Sequence, residues 1–252
     1  LYTVRGIIRV MYALLSGVQV HYEILGNGEP ILLAHGWGGS SASLLPLGKI
    51  LSTTNKVILV DLPGFGKSEN PKENWGVEEY SDILIELLES LKIKKVIYFG
   101  HSFGGSLGII LTATKNRLIT KLILCNSAYK RVKNTSLVVR LYKHIFPGDN
   151  PPFRRLLYNI FFRGSDLARF PKLEKNLRLI AQTDLTEHTK DIKTKTLIIW
   201  GEGDSITPVA WAHELHENIK DSVLKIIPNT RHGLPLRNPD IVADEVLKFI
   251  YS

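Results

Sequence analysis

Among 252 residues there is one cysteine, Cys125, and one methionine, Met11. A lone thiol excludes an intramolecular disulfide. Because Cys125 closes the run Leu122-Ile123-Leu124, it reads as a small buried hydrophobe. Nowhere do apolar residues run to the ~18 in succession that a membrane-spanning helix needs, so no transmembrane segment is expected. The segment Leu1 to Ser16 carries Arg5 and Arg9 before a short apolar patch, Val10 to Leu15. That patch is too short and too poorly terminated for a secretory signal, so a cytoplasmic location is expected. Met11 opens Met-Tyr-Ala-Leu, which marks residues 1–10 as a candidate N-terminal extension. Repeats and low-complexity tracts are absent.

What is present fits a globular α/β protein, with 44% apolar residues and a net charge of +8. The charge is uneven: from Asn126 to Lys195, 15 Lys and Arg stand against 6 Asp and Glu, a balance of +9, which leaves −1 for the rest. Such an excess serves solubility or meets an acidic partner. Nothing in the pattern indicates nucleic-acid binding. Short runs rich in Val, Ile and Leu recur at Ile31 to Ala34, Val57 to Val60, Val96 to Phe99, Leu118 to Leu124, Leu197 to Trp200 and Val223 to Ile227. They read as strands covered on both faces. Val18 to Ile24 alternates and reads as an antiparallel edge strand. Tyr80, Ile83, Leu84, Leu87, Leu88 and Leu91 follow the spacing of a core-facing helix, and a last helix is expected over Pro239 to Ile250. The alternation implies a mostly parallel sheet with helices on both faces.

Between Ala128 and Thr194 the alternation stops, and the pattern becomes helical and basic, over Leu137 to Phe146, Phe153 to Phe162 and Leu173 to Ile180. A helical block between two strands reads as a cap over the carboxyl edge of the sheet. The expected division is a core of 11–127 and 195–252 with a cap of 128–194.

Working residues of an open α/β sheet gather at the carboxyl ends of its strands. Gly100-His101-Ser102-Phe103-Gly104 lies between an apolar run and a small-residue run, where a sharp strand-to-helix turn would expose a serine nucleophile. After Ala34 comes His35-Gly36-Trp37-Gly38-Gly39, a turn whose free N–H groups suit an oxyanion; the expected donors are the amides of Trp37 and Phe103. After Trp200 come Glu202 and Asp204, with Asp204 favoured because it lies further from the strand end. After Ile227 comes His232, an imidazole able to take the serine proton at neutral pH. A carboxylate must then orient that imidazole. The expected catalytic set is Ser102, Asp204 and His232, and Gly36, Trp37, His101 and Leu234 are expected to contact substrate. This chemistry requires no metal and no cofactor.

Two further motifs fall short of the sites they resemble. Gly66-Lys67-Ser68 lacks the glycine of a phosphate loop five residues before Gly66, where Asp61 stands. His213-Glu214-Leu215-His216 has one residue too few between its histidines for a zinc signature and reads as a solvated helix face.

The order Ser102, Asp204, His232, together with His35-Gly36-Trp37-Gly38, Asp61-Leu62-Pro63-Gly64-Phe65-Gly66-Lys67-Ser68, Gly201-Glu202-Gly203-Asp204 and Arg231-His232-Gly233, resembles the α/β-hydrolase superfamily. The resemblance covers the chain beyond its first ten residues. It implies an eight-stranded sheet with a lid inserted after the sixth strand, and hydrolysis of a small-molecule carboxylic ester through an acyl-enzyme. The serine in the elbow disfavours the aspartate-nucleophile members, the haloalkane dehalogenases and epoxide hydrolases. The His-Gly-Trp-Gly turn with Asp-Leu-Pro-Gly-Phe-Gly is also similar to the pimeloyl-carrier-protein methyl esterases, although His101 stands where those carry Trp. On that resemblance Arg140, Lys143, Arg154 and Arg155 would receive an acidic carrier protein. Lactonases, carbon–carbon bond hydrolases and a catalytically silent binding protein remain as alternatives.

Overall fold

The computed structural model describes residues 9–114, 117–131 and 170–252. Eight strands form one sheet: β1 (Arg9–Leu15), β2 (Val18–Leu25), β3 (Glu29–Ala34), β4 (Asn55–Val60), β5 (Val96–His101), β6 (Ile119–Cys125), β7 (Thr196–Gly201) and β8 (Ser222–Ile227). Their order is β1-β2-β4-β3-β5-β6-β7-β8. β2 pairs antiparallel with both β1 and β4, and every other neighbour pair is parallel.

The central strands carry apolar runs, Ile31 to Ala34, Val57 to Val60, Val96 to Phe99, Leu122 to Cys125 and Leu197 to Trp200, because both faces are covered there, and successive side chains go to opposite layers. Leu32, Ile58, Tyr98, Leu122 and Ile198 enter the core beneath α2 (Val77–Ser90), α3 (Phe103–Thr114) and α6 (Val209–Asn218). Their neighbours Leu33, Leu59, Phe99, Ile123 and Ile199 enter the opposite core beneath α1 (Ser41–Leu51) and α8 (Pro239–Ile250). Cys125 is fully buried in that second core, where burial pushes its thiol pKa up.

Two strands depart from the sequence reading: β8, expected to be covered on both faces, is the outermost strand with Val223 exposed and none of its residues buried, and the other departure lies at the opposite edge. Val18–Leu25 is not the edge; Arg9–Leu15 pairs outside it, from Arg9↔Ile24 to Leu15↔Val18. The turn between them, Ser16-Gly17, has positive φ at both residues (42° and 72°), the geometry of a tight hairpin. Val10, Tyr12 and Leu14 are exposed although apolar, so β1 shows no alternation of polarity to mark it as a strand. Arg9 and Val10, the last residues of the candidate N-terminal extension, lie in this strand.

Of the expected cap, a short 3-10 turn (Pro171–Leu173), α4 (Glu174–Gln182) and α5 (Thr186–Asp191) are described. α4 coincides with the helix expected over Leu173 to Ile180. The two further cap helices, with Arg140, Lys143, Arg154 and Arg155, fall outside the described residues. A four-residue helix α7 (Leu234–Arg237) follows the last strand's loop. Among the described residues no helix is long and apolar enough to cross a membrane.

Candidate active site

Ser102 sits between the end of β5 and the start of α3 with φ of 52°, a left-handed conformation that side chains rarely adopt. The turn closes through the Ser102 amide donating to Cys125 O (3.1 Å) and the Gly105 amide donating to Ser102 O (2.9 Å). α3 then runs so close to β3 that a Cβ on Gly104 would stand 2.2 Å from the Ala34 carbonyl oxygen. The glycine after the serine is therefore a packing requirement, as an elbow pressed against the sheet demands.

Three sequence-distant side chains meet here. His232 Nε2 lies 3.0 Å from Ser102 Oγ, and His232 Nδ1 lies 2.8 Å from Asp204 Oδ2. The His232 side chain is 18% exposed and that of Asp204 is fully buried. Burial works to raise the Asp204 carboxyl. Hydrogen bonds from His232, Thr207 and Asn126 outweigh it and hold the pKa well below the ordinary carboxylate range. Glu202, the competing acid, is exposed and, among the described residues, its carboxylate accepts from the Asn229 amide at 3.4 Å.

Two residues around the acid carried no sequence signal. Asn126, at the end of β6, donates Nδ2 to Asp204 Oδ2. Thr207 donates its hydroxyl to the same oxygen at 2.6 Å and its amide to Oδ1 at 3.0 Å. Sequence reading attends to the acid's own loop, whereas Asn126 arrives from a neighbouring strand. Only the pairing of β6 with β7 makes it adjacent.

The His35–Ser40 turn lies across the elbow. The Leu62 amide donates to His35 Nε2 at 3.1 Å, which leaves the proton on Nδ1 to be donated to Gly36 O at 2.8 Å. His35 is thereby held neutral, and burial lowers its pKa. Neither the Trp37 nor the Phe103 amide is used in a main-chain hydrogen bond among the described residues. The Trp37 ring meets Phe65 and Phe103 edge to face, at 4.8 and 5.8 Å between centroids.

Ser102 opens onto a cavity of about 160 Å³ walled by Trp37, Phe103, Tyr129, Leu177, Ile180, Leu185, Ile206 and Trp211, with Lys130 among its polar margins. Lys130 is engaged by Glu214. Trp37 lines this cavity as expected for a substrate contact. So does Trp211, which nothing in its local sequence marks. Gly36, His101 and Leu234 are not in its wall: Leu234 is buried in the core beneath α8, and His101 packs against His232. The decoy motifs serve the scaffold. The Asp61 carboxylate accepts from the Ser41 and Lys67 amides, and Glu214 takes Lys130.

A mostly parallel sheet with a serine elbow and a histidine at its carboxyl edge defines a class of enzymes. The chain matches the family model for the alpha/beta hydrolase fold over residues 29–160 and belongs to that family. It is a hydrolase of this family. It is 25% identical over 260 residues to the uncharacterized hydrolase YugF of Bacillus subtilis (strain 168), covering 93% of this chain and 95% of that one. It is also 25% identical over 266 residues to the 2-hydroxy-6-oxo-6-(2'-aminophenyl)hexa-2,4-dienoic acid hydrolase of Metapseudomonas resinovorans, covering 93% and 88%. Among solved structures, the enol-lactonase from Burkholderia xenovorans LB400 superposes with a TM-score of 0.79 at 23% identity, over 96% of this chain and all of that one.

Proposed function

We propose that this protein is a serine hydrolase of carboxylic esters with short to medium acyl chains. The observation that carries the proposal is the continuous contact Ser102 Oγ to His232 Nε2 to Asp204 Oδ2, at 3.0 and 2.8 Å, beside an apolar cavity. In this reading His232 takes the Ser102 proton as Oγ attacks the ester carbonyl. The amides of Trp37 and Phe103 receive the oxyanion, each contributing about 3 to 4 kcal/mol to the transition state. His232 then gives its proton to the leaving alkoxide. A water deprotonated by the same ring attacks the acyl-enzyme, and the acid leaves with Ser102 reprotonated. Residues 11–127 and 195–252 form the catalytic core, and 128–194 form a cap that contributes apolar wall through Leu177 and Ile180 of α4 and Leu185 just before α5.

Hydrolysis of p-nitrophenyl butyrate by the wild type and by Ser102→Ala tests the proposal. The expected result is turnover that disappears in the variant; equal rates would point to a silent binding protein instead. Likeness to the dienoic acid hydrolase supports a second reading, cleavage of a carbon–carbon bond in a vinylogous diketone. Parallel assays with such a diketone and with lactones decide which acyl donor is preferred.

A further inference from the structure

The imidazole of His101, covalently adjacent to the nucleophile, is 7% exposed and touches two other parts of the site. Its Nε2 lies 2.8 Å from the main-chain oxygen of His232. A carbonyl oxygen only accepts, so Nε2 carries the proton and donates it. Burial, and after it the neighbouring His232 ring, lowers the His101 pKa to about 4. Near neutrality the ring thus holds that single proton, and Nδ1 is a bare acceptor. Nδ1 faces the oxyanion turn, where a Cβ on Gly36 would come within 3.2 Å of it and 3.0 Å of Ser102 Cβ. A side chain at position 36 would have to push the elbow or the His101 ring aside by a few tenths of an ångström. The rings of His101 and His232 stand 5.1 Å apart at 44°.

His232 belongs to the loop after β8, the outermost strand on that side of the sheet. Asp204 holds the ring of His232 by one nitrogen, but the position of Nε2 over Ser102 also depends on where the main chain of residue 232 lies. That main chain is held by His101, from the strand that carries Ser102. Consecutive residues of β5 and its elbow therefore contact His232 at both ends, the carbonyl through His101 and Nε2 through Ser102.

We infer that His101 is a positioning residue for the general base, fixing the main chain of His232 relative to the nucleophile, and that it does not bind substrate. The inference rests on the serine-hydrolase reading above. It separates from a merely structural role by a pair of similar variants. The amide nitrogen of Gln reaches about as far as Nε2 of His, whereas that of Asn falls short.

The test is steady-state hydrolysis of p-nitrophenyl butyrate by the wild type, His101→Gln and His101→Asn. Rates are normalised to reactive Ser102 counted with a p-nitrophenyl phosphonate, so that unfolded protein does not contribute. The expected result is a kcat lowered tenfold to about a hundredfold in His101→Asn. His101→Gln should stay within about threefold of wild type, and KM within about twofold in both. Equal kcat losses in the two variants, no loss in either, or a raised KM at unchanged kcat would overturn the inference. Absence of Ser102-dependent turnover in the wild type would overturn the hydrolase reading and this inference with it, an outcome visible before the His101 variants are compared.

Discussion

Asp204 accepts five hydrogen bonds: from Asn126, the Thr207 hydroxyl and His232 on Oδ2, and from the Ile206 and Thr207 amides on Oδ1. So many donors keep it ionised far below neutrality, where it can orient the imidazole and stabilise its cation. Asp204→Asn would preserve the shape while presenting an amide to Nδ1, favouring the wrong tautomer. A kcat loss on the order of 10³ to 10⁴ with intact folding is expected, read by ester hydrolysis and circular dichroism. His101 makes a different prediction. Its folded pKa of about 4 lies below the ordinary ~6.5 of an unfolded histidine. Between those values the unfolded chain binds a proton that the folded chain refuses, so stability falls as pH falls through that window, by up to about 1.4 kcal/mol per unit. Urea unfolding from pH 7 to 4.5 should show a shallower loss for His101→Gln than for the wild type. Parallel curves would show that the ring is not held neutral.

The elements divide into those written in local sequence and those that are not. β3 to β7 were legible because burial on both faces favours an unbroken apolar run in each, and α2 because Tyr80, Ile83, Leu84, Leu87 and Leu88 share one buried face. β1 was not, since Val10, Tyr12 and Leu14 face solvent and remove the alternation that would identify a strand. Its marker was the Ser16-Gly17 turn. The meeting of Ser102, Asp204, His232 and the His35–Ser40 turn at one edge was legible because each follows its own strand end. The Asn126 and His101 contacts arise from pairing between strands and loops distant in sequence, whereas Thr207 sits in the acid's own loop, where a threonine three residues on is no marker by itself. α3 packs closely on β3, and Gly104→Ala would drive a methyl group into the Ala34 and His35 main chain. A loss of about 3 kcal/mol or more is expected from urea midpoints.

Across the whole molecule, the segment 170–191 is seated on the carboxyl edge of the sheet through a file of rings. Phe170 meets Phe65 at 5.0 Å, Phe65 meets Trp37, and Trp37 meets Phe103. Leu173 closes over Gly64, and the Leu185 amide donates to Tyr129 O at 2.8 Å. Leu173→Ala should remove about 2 to 4 kcal/mol of packing from that seam. Hydrogen exchange would then quicken over residues 171–182 and not over β5, and KM for butyrate esters would rise. The left-handed serine at the centre has a further consequence. A non-glycine residue at φ of 52° costs about 1 to 2 kcal/mol, a cost that alanine shares and glycine escapes. Ser102→Gly should therefore melt above Ser102→Ala while being as inert. Selection for a stable fold alone would favour glycine at this position, so the reactive serine opposes the fold's own thermodynamic preference.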